Sequence, residues 1–217
     1  MKKSQSPLFL TPSRRHTSFL GGVFLGLASF STPCYAGFYL GALGASVQKK
    51  TNPVFPLQDN PDASVTSSYG DTSTGYGLSL GYRMSSSNWA IESSALLVAS
   101  PLSVRVEDGP VSAEGEAVVD SLQIPILLRW VRFSYLSLSA GAYVEVPYTI
   151  ESTGDIEGLS LEYDWGVSGG LRFQAPLFNK SVTLSSELRV NQGIKNFSGS
   201  RNRDHLLLLG ITFGGQP

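Results

Sequence analysis

"SVTLSSELRVNQG", residues 181–193, alternates between apolar and polar residues. Its even positions include Leu184 and Leu188, and its odd positions include Glu187 and Arg189. A period of two predicts a β-strand with one apolar face and one polar face. In a soluble sandwich the apolar face points into a core, whereas in an outer-membrane barrel it points into lipid. The fold therefore depends on which face of this strand points outward.

The first 36 residues have the composition of a secretory signal peptide. They contain four basic and no acidic residues, followed by an apolar run over residues 19–30 that is too short for a membrane-spanning helix. The segment ends on Cys34-Tyr35-Ala36, which places small residues at the −3 and −1 positions of a cleavage site. We expect residues 1–36 to be a signal peptide cleaved after Ala36, and residues 37–217 to form one barrel domain. Lipidation of Cys34 and twin-arginine export are less favoured alternatives.

The chain after Ala36 has an acidic balance and no cysteine. The leader takes four of the 16 Lys and Arg residues and none of the 17 Asp and Glu residues, which leaves a formal charge of −5. An exported chain without cysteine has no disulfide framework, so strand pairing and packing must stabilise it. The charge gives no support for a nucleic-acid partner. No motif in the sequence indicates a cofactor.

The alternating pattern recurs in eight predicted strands. They lie at about residues 37–48, 73–84, 88–106, 114–130, 133–147, 161–176, 180–194 and 204–214. The connections between them alternate between long and short, and all the short ones fall at one end. Outer-membrane barrels have this asymmetry, with short periplasmic turns and longer outer loops. The sequence therefore predicts an all-β protein, a closed antiparallel eight-stranded transmembrane β-barrel in the outer membrane.

The charged residues decide which face of the barrel is polar. Most of them share the parity opposite to the apolar residues, and an arginine that faces lipid at mid-membrane costs roughly 2–4 kcal/mol. We therefore expect the polar faces to line the interior, where carboxylates and guanidinium groups from neighbouring strands can pair. The predicted interior charge network consists of Glu92, Arg129, Arg172, Glu187 and Arg189, and all but Arg129 are predicted to lie near mid-height.

Aromatic residues on the outward parity fall near the strand ends. The predicted girdle contains Trp89, Trp130 and Phe213 on the short-turn side and Trp165 on the long-loop side. Amphipathic rings are expected at membrane interfaces. Outer-membrane lipid, including lipopolysaccharide, is accordingly an expected partner.

Five segments within residues 120–214 carry a family resemblance: DSLQIPILLRW, SLSAGAYVEVP, YDWGVSGGLRF, SSELRVNQGIKN and LLLLGITFG. Together they resemble the PorT-like outer-membrane β-barrel domain, which has a proline-containing strand, Gly-rich strands and a Gly-Ile-x-Phe ending. The resemblance implies an outer-membrane barrel and suggests an accessory role in a secretion system. Such barrels usually end on an aromatic residue that the barrel-assembly machinery reads, and here GGQP follows Phe213.

The sequence favours a non-enzymatic role. Its only histidine after the leader is His205, which follows Asp204 at the edge of the last strand. An Asp-His pair can polarise a water molecule, but a rim histidine beside an acid is more often solvated surface. We expect no catalysis and favour a structural or surface-interaction role through the outer loops. A narrow or gated channel is the next hypothesis, although eight strands leave an interior that side chains can fill. A soluble ligand-binding barrel is the least favoured.

The outer end is predicted to be strongly acidic. On this topology 15 of the 17 acids lie at that end, against six basic residues, for a formal charge near −9. Such a cap could meet lipopolysaccharide or a cationic partner, with divalent cations bridging carboxylates. An acidic cap that only keeps the surface hydrated is an equally favoured alternative.

Overall fold

A computed structural model describes residues 37–50, 64–84, 88–108, 111–133, 135–153, 163–177, 182–197 and 200–214. It contains nine strands: β1 (Phe38–Lys49), β2 (Ser64–Tyr69), β3 (Ser73–Arg83), β4 (Trp89–Asp108), β5 (Val111–Phe133), β6 (Leu136–Thr153), β7 (Asp164–Leu177), β8 (Val182–Phe197) and β9 (Ser200–Gly214). The predicted leader lies outside the described residues. No helix among the described residues is long and apolar enough to cross a membrane.

The strands form one closed antiparallel sheet. From β3 to β9 each strand pairs with the next strand along the chain; β1 pairs with β3 on one side and with β9 on the other, which closes the sheet into a barrel. Both β2 and β3 pair with β4, one beyond the other, so that the nine strands occupy eight positions around the barrel. The predicted eight-stranded antiparallel barrel is confirmed.

The strand registers define how steeply the strands tilt. The stagger of the barrel is found by stepping from each residue to its partner on the next strand. A path that starts at Tyr39 on β1 passes through Glu92 and Asn191 and returns to β1 at Lys49, ten residues beyond its start. A stagger of ten residues in eight strands corresponds to a tilt of about 40° from the barrel axis. This tilt places residues that are distant along neighbouring strands at the same height.

The outer connections differ from the prediction. Strand β2 lies inside the segment 49–72, which was predicted to be a loop. The predicted loops 107–113 and 195–203 are largely strand, because β4 and β5 pair up to Asp108 and Val111, and β8 and β9 pair up to Phe197 and Ser200. Pairing with a neighbouring strand overrides the weak local preference of these polar segments. Paired strands, rather than loops alone, build the outer end.

The outward face of the barrel is apolar at mid-height, as expected for a surface in lipid. Ile126 is 60% exposed and Leu209 is 59% exposed. The inward face, however, is not uniformly polar, which corrects the prediction. Two apolar clusters line the interior in its outer half: Leu43, Val47, Leu96, Val98, Leu206 and Leu208 in one, and Leu102, Val104, Ala117 and Val119 in the other.

Candidate functional site

The structure brings all five residues of the predicted charge network together inside the barrel. Glu92 on β4 accepts hydrogen bonds from Arg129 on β5 at 2.9 Å and from Arg172 on β7 at 2.6 and 2.7 Å. Glu187 on β8 accepts from Arg172 at 2.7 Å, from Arg189 at 2.9 Å and from Arg129 at 3.0 Å. Each of the five residues is at most 2% exposed. We call this group the inner charge network.

The inner charge network spans the lumen. Its ion pairs join β4 and β5 to β7 and β8, which are three positions away around the barrel. The network lies toward the short-turn end rather than at mid-height, because Glu92 is three residues from Trp89 and Arg129 adjoins Trp130. Three arginines against two glutamates leave one excess positive charge. Buried charges of this kind persist only when they are paired and hydrogen-bonded.

A second polar network, which sequence reasoning missed, lies near the outer end of the interior. Lys49 donates to Glu145 at 2.6 Å, and Ser121 donates to the same carboxylate at 2.7 Å. The amide nitrogen of Gln123 lies 3.0 Å from Glu145 and 3.1 Å from Asp204, so it bridges the two acids. We call this group the outer polar network.

Asp164 extends the outer polar network on β7. It accepts hydrogen bonds from the Tyr143 hydroxyl at 2.9 Å and from the Asn202 amide at 3.3 Å. Glu145, Asp164 and Asp204 give three acids for the single cation Lys49. In formal charge, the described interior is therefore divided, with one excess positive charge in the inner charge network and excess acids in the outer polar network.

The aromatic residues predicted to form a girdle lie at two levels. Trp89 and Trp130 are cross-strand partners at the short-turn end, and Phe213 lies at the same end of β9. Trp165 pairs with Val144 toward the other end. The registers and the strand tilt separate the two levels by roughly 20–25 Å along the axis, close to the height of a barrel's apolar band. Trp89, Trp165 and Phe213 are each more than 40% exposed, as lipid-facing rings should be.

Asp204 and His205 do not form a pair. Asp204 is buried inside the barrel, whereas the His205 side chain is exposed on the outward face. The alternation of side chains along β9 separates them, so the arrangement offers no Asp-His dyad. Within the described ranges, no group of three or more His, Cys, Asp or Glu residues could hold a metal ion.

Among the described strands, charge at the outer end is segregated rather than uniformly acidic. Three acids that were assigned to the cap, Glu145, Asp164 and Asp204, are buried in the interior. Strands β1, β8 and β9 contain only two acids, Glu187 and Asp204, and both point inward. Apart from Glu92, which is buried at the short-turn end, the remaining acids of the described strands lie on β4, β5 and β6: Glu107, Asp108, Glu114, Glu116, Asp120 and Glu151. Within the described strands, the outer end therefore has an acidic side on β4, β5 and β6 and an outward face on β1, β8 and β9 that carries no acid, which we call the acid-free side.

Comparisons with known proteins support the fold. No protein-family model and no curated protein sequence matches the chain. Among solved structures, the outer membrane protein OprG from Pseudomonas aeruginosa is 15% identical with a TM-score of 0.56, covering 84% of this chain and 99% of OprG. The attachment invasion locus protein Ail of Yersinia pestis is 12% identical with a TM-score of 0.45, covering 82% of this chain and 99% of Ail. The likeness to OprG shows that this chain has the fold of a small outer-membrane β-barrel.

Proposed function

We propose that this chain is a non-enzymatic integral protein of the outer membrane, exported by a leader that is cleaved after Ala36. We propose further that it acts at the cell surface through its outer end rather than through its lumen. The observation that carries the proposal is the inner charge network, in which the buried pairs Arg129–Glu187 and Arg172–Glu92 cross the lumen. A pathway for solutes would have to break several of these pairs.

The surface that we propose to act is a sheet that projects beyond the membrane. Strands β4 and β5 stay paired as far as Asp108 and Val111, β2 adds to the edge of β4, and β6 pairs with β5 as far as Thr153. At the observed tilt, β4 extends roughly 20 Å beyond the level of Trp165. The apolar cluster around Leu102 lies on the inner face of this sheet. The sheet thus has packing of its own outside the lipid.

The projecting sheet is acidic, which favours a cationic partner. Arg105 and Glu114 form an ion pair at 3.4 Å with both side chains more than half exposed, and such a pair contributes little to stability. Its exposed charges are therefore available to a partner at small cost to the fold. Lipopolysaccharide is a second candidate partner, since divalent cations could bridge its phosphates to the acids of this surface. An accessory role in secretion is a further hypothesis, which is supported by the PorT-like resemblance.

Two experiments test the proposal. The refolded protein should give no discrete conductance steps in planar bilayers, because the inner charge network fills the lumen; regular steps would favour the channel hypothesis instead. Deletion of residues 105–114 would join Val104 to Gly115, which are cross-strand partners. The shortened barrel should still change its electrophoretic mobility when it is heated, which reports a folded barrel, but it should no longer bind to a polylysine-coated surface. Unchanged binding would contradict a role for the projecting sheet.

A further inference from the structure

The acid-free side of the outer end carries three cross-strand rows of outward residues on β8, β9 and β1. From the membrane centre outward the rows are Leu188–Leu207–Ser46, Val190–His205–Gln48 and Gln192–Arg203–Lys50. Two of the three residues are apolar in the first row, two of the three are polar in the second, and the third row carries two cations. The rows therefore become more polar and more basic toward the outside. A phospholipid or glycolipid has the same sequence of chemistry, from acyl chain through linkage to phosphate.

A groove runs across the two lower rows. Its volume is about 370 Å³, and its lining includes Leu188, Val190, Leu207, Ser46 and His205. It forms where the small outward residues of β1 lie beside the longer side chains of β8 and β9. A groove with apolar walls and a few polar groups at membrane depth suits one acyl chain and its ester or amide linkage.

The third row, Gln192–Arg203–Lys50, which we call the basic row, lies at the level of the membrane interface. Gly166 pairs with Gly193, which places Trp165 of the upper girdle within two residues of the row that contains Gln192. Arg203 donates from its Nε to the Gln192 side chain at 2.9 Å, an interaction with a neutral partner. Within the described part of the chain, neither Arg203 nor Lys50 forms an ion pair with a carboxylate. Two cations without carboxylate partners at this depth suit a phosphate group.

We propose that the groove and the basic row together bind a phosphorylated glycolipid of the outer leaflet. One acyl chain lies between Leu188 and Leu207, and the phosphate meets Arg203 and Lys50. The rest of the outward face of β1, β8 and β9 has no acid to repel that phosphate. On the β3 side, the exposed Asp71 precedes β3 and adjoins Thr72, which also lines the groove. The inference rests on the proposed outer-membrane location and gives a specific site to a lipid partner.

The test uses full-length protein in nanodiscs of neutral phosphatidylcholine, titrated with bis-phosphorylated hexa-acyl lipid A, with bound lipid counted by native mass spectrometry. Arg203→Gln and Lys50→Gln should each weaken binding about fivefold, as expected for one basic residue near an anionic lipid surface. Arg105→Gln is the matched control, because it removes an exposed cation from the acidic side of the same outer end. It should leave binding unchanged.

Ser46→Leu tests the groove separately from the charge. Leucine on this lipid-facing position is compatible with the fold and would fill the groove, so binding should fall severalfold with Arg203 and Lys50 intact. Enzymatically dephosphorylated lipid A should bind weakly, and millimolar inorganic phosphate should not displace the lipid.

Equal losses in the Arg203 and Arg105 variants, equal binding of dephosphorylated lipid, or full displacement by inorganic phosphate would each overturn the inference. Heat-modifiability of the same samples separates the two proposals. A protein that fails to form a membrane barrel contradicts the proposed location, whereas a well-formed barrel whose Arg203→Gln variant binds normally contradicts the lipid site alone.

Discussion

Glu187→Gln is the substitution that tests the inner charge network most sharply. The Glu187 carboxylate accepts from three guanidinium groups, at 2.7, 2.9 and 3.0 Å. Glutamine has the same shape, but it carries no charge and places an amide donor against guanidinium donors. Three arginines would then share the single carboxylate of Glu92. Breaking a buried charge network by removing one partner costs about 3–5 kcal/mol, and we expect a loss of that size in the free energy of unfolding.

The assay is urea unfolding of the refolded protein in lipid vesicles, followed by tryptophan fluorescence and by the heat-dependent mobility shift. Glu114→Gln is the matched control, since it removes an exposed carboxylate from the ion pair with Arg105. Its effect should stay below about 1 kcal/mol. A second change, Arg189→Gln, removes one of the cations that the first change leaves unpaired, so the double variant should recover part of the loss. Equal stabilities for the Glu187 and Glu114 variants would refute the reasoning.

Three further predictions concern the outer network, the lipid face and a close strand contact. Lys49 and Glu145 form a buried ion pair at 2.6 Å, so Lys49→Met should lower the free energy of unfolding by about 3–5 kcal/mol, and adding Glu145→Gln should restore part of that loss. A double-mutant cycle in urea measures the coupling between the two residues, and zero coupling would contradict the pairing. Leu209→Arg, on the lipid face, should lower the free energy of unfolding by about 2–4 kcal/mol, whereas Val118→Arg, beyond the upper girdle, should lower it by at most about 1 kcal/mol. Equal losses, measured by urea unfolding in lipid vesicles, would contradict the assigned membrane level. Gly141→Ala should lower the yield of heat-modifiable barrel, because a Cβ there would overlap the backbone carbonyl of Ile126, and a normal yield would show that the strands can separate.

Strand parity was enough to predict the inner charge network. Glu187 and Arg189 alternate with Leu188 and Val190, and the cost of an arginine in lipid assigns the charged face to the interior. The same argument applied to Glu92, Arg129 and Arg172 puts all five charges in one lumen. Parity alone did not give the height of the network, because strand tilt shifts neighbouring strands relative to one another.

The outer polar network could not be predicted in the same way. Lys49 and Asp204 meet only because the closing register between β1 and β9 places them opposite each other. That register depends on the total stagger around the barrel, which no local pattern encodes. Asp204 also adjoins His205, which suggested a polar rim rather than a buried acid.

Strand β2 and the apolar interior clusters were missed for related reasons. The segment SVTSSY has no apolar alternation, and it becomes a strand because the long edge of β4 offers backbone partners. In β9, the run from Leu206 to Leu209 is apolar on both faces, so parity does not reveal that Leu206 and Leu208 pack inward. A signal does exist in hindsight, since a strand that is apolar on both faces needs an apolar environment on both sides.

The central claim is that the apolar face of each strand meets lipid while the polar face lines a filled lumen. Nitroxide labels at single introduced cysteines along residues 182–191 test it directly, in the chain that starts at Gly37 and has no native cysteine. In lipid vesicles, oxygen accessibility should alternate with a period of two, high at Leu184, Leu188 and Val190 and low at Thr183 and Ser185. The opposite alternation, or a uniform value along the strand, would contradict a membrane barrel with a charged interior.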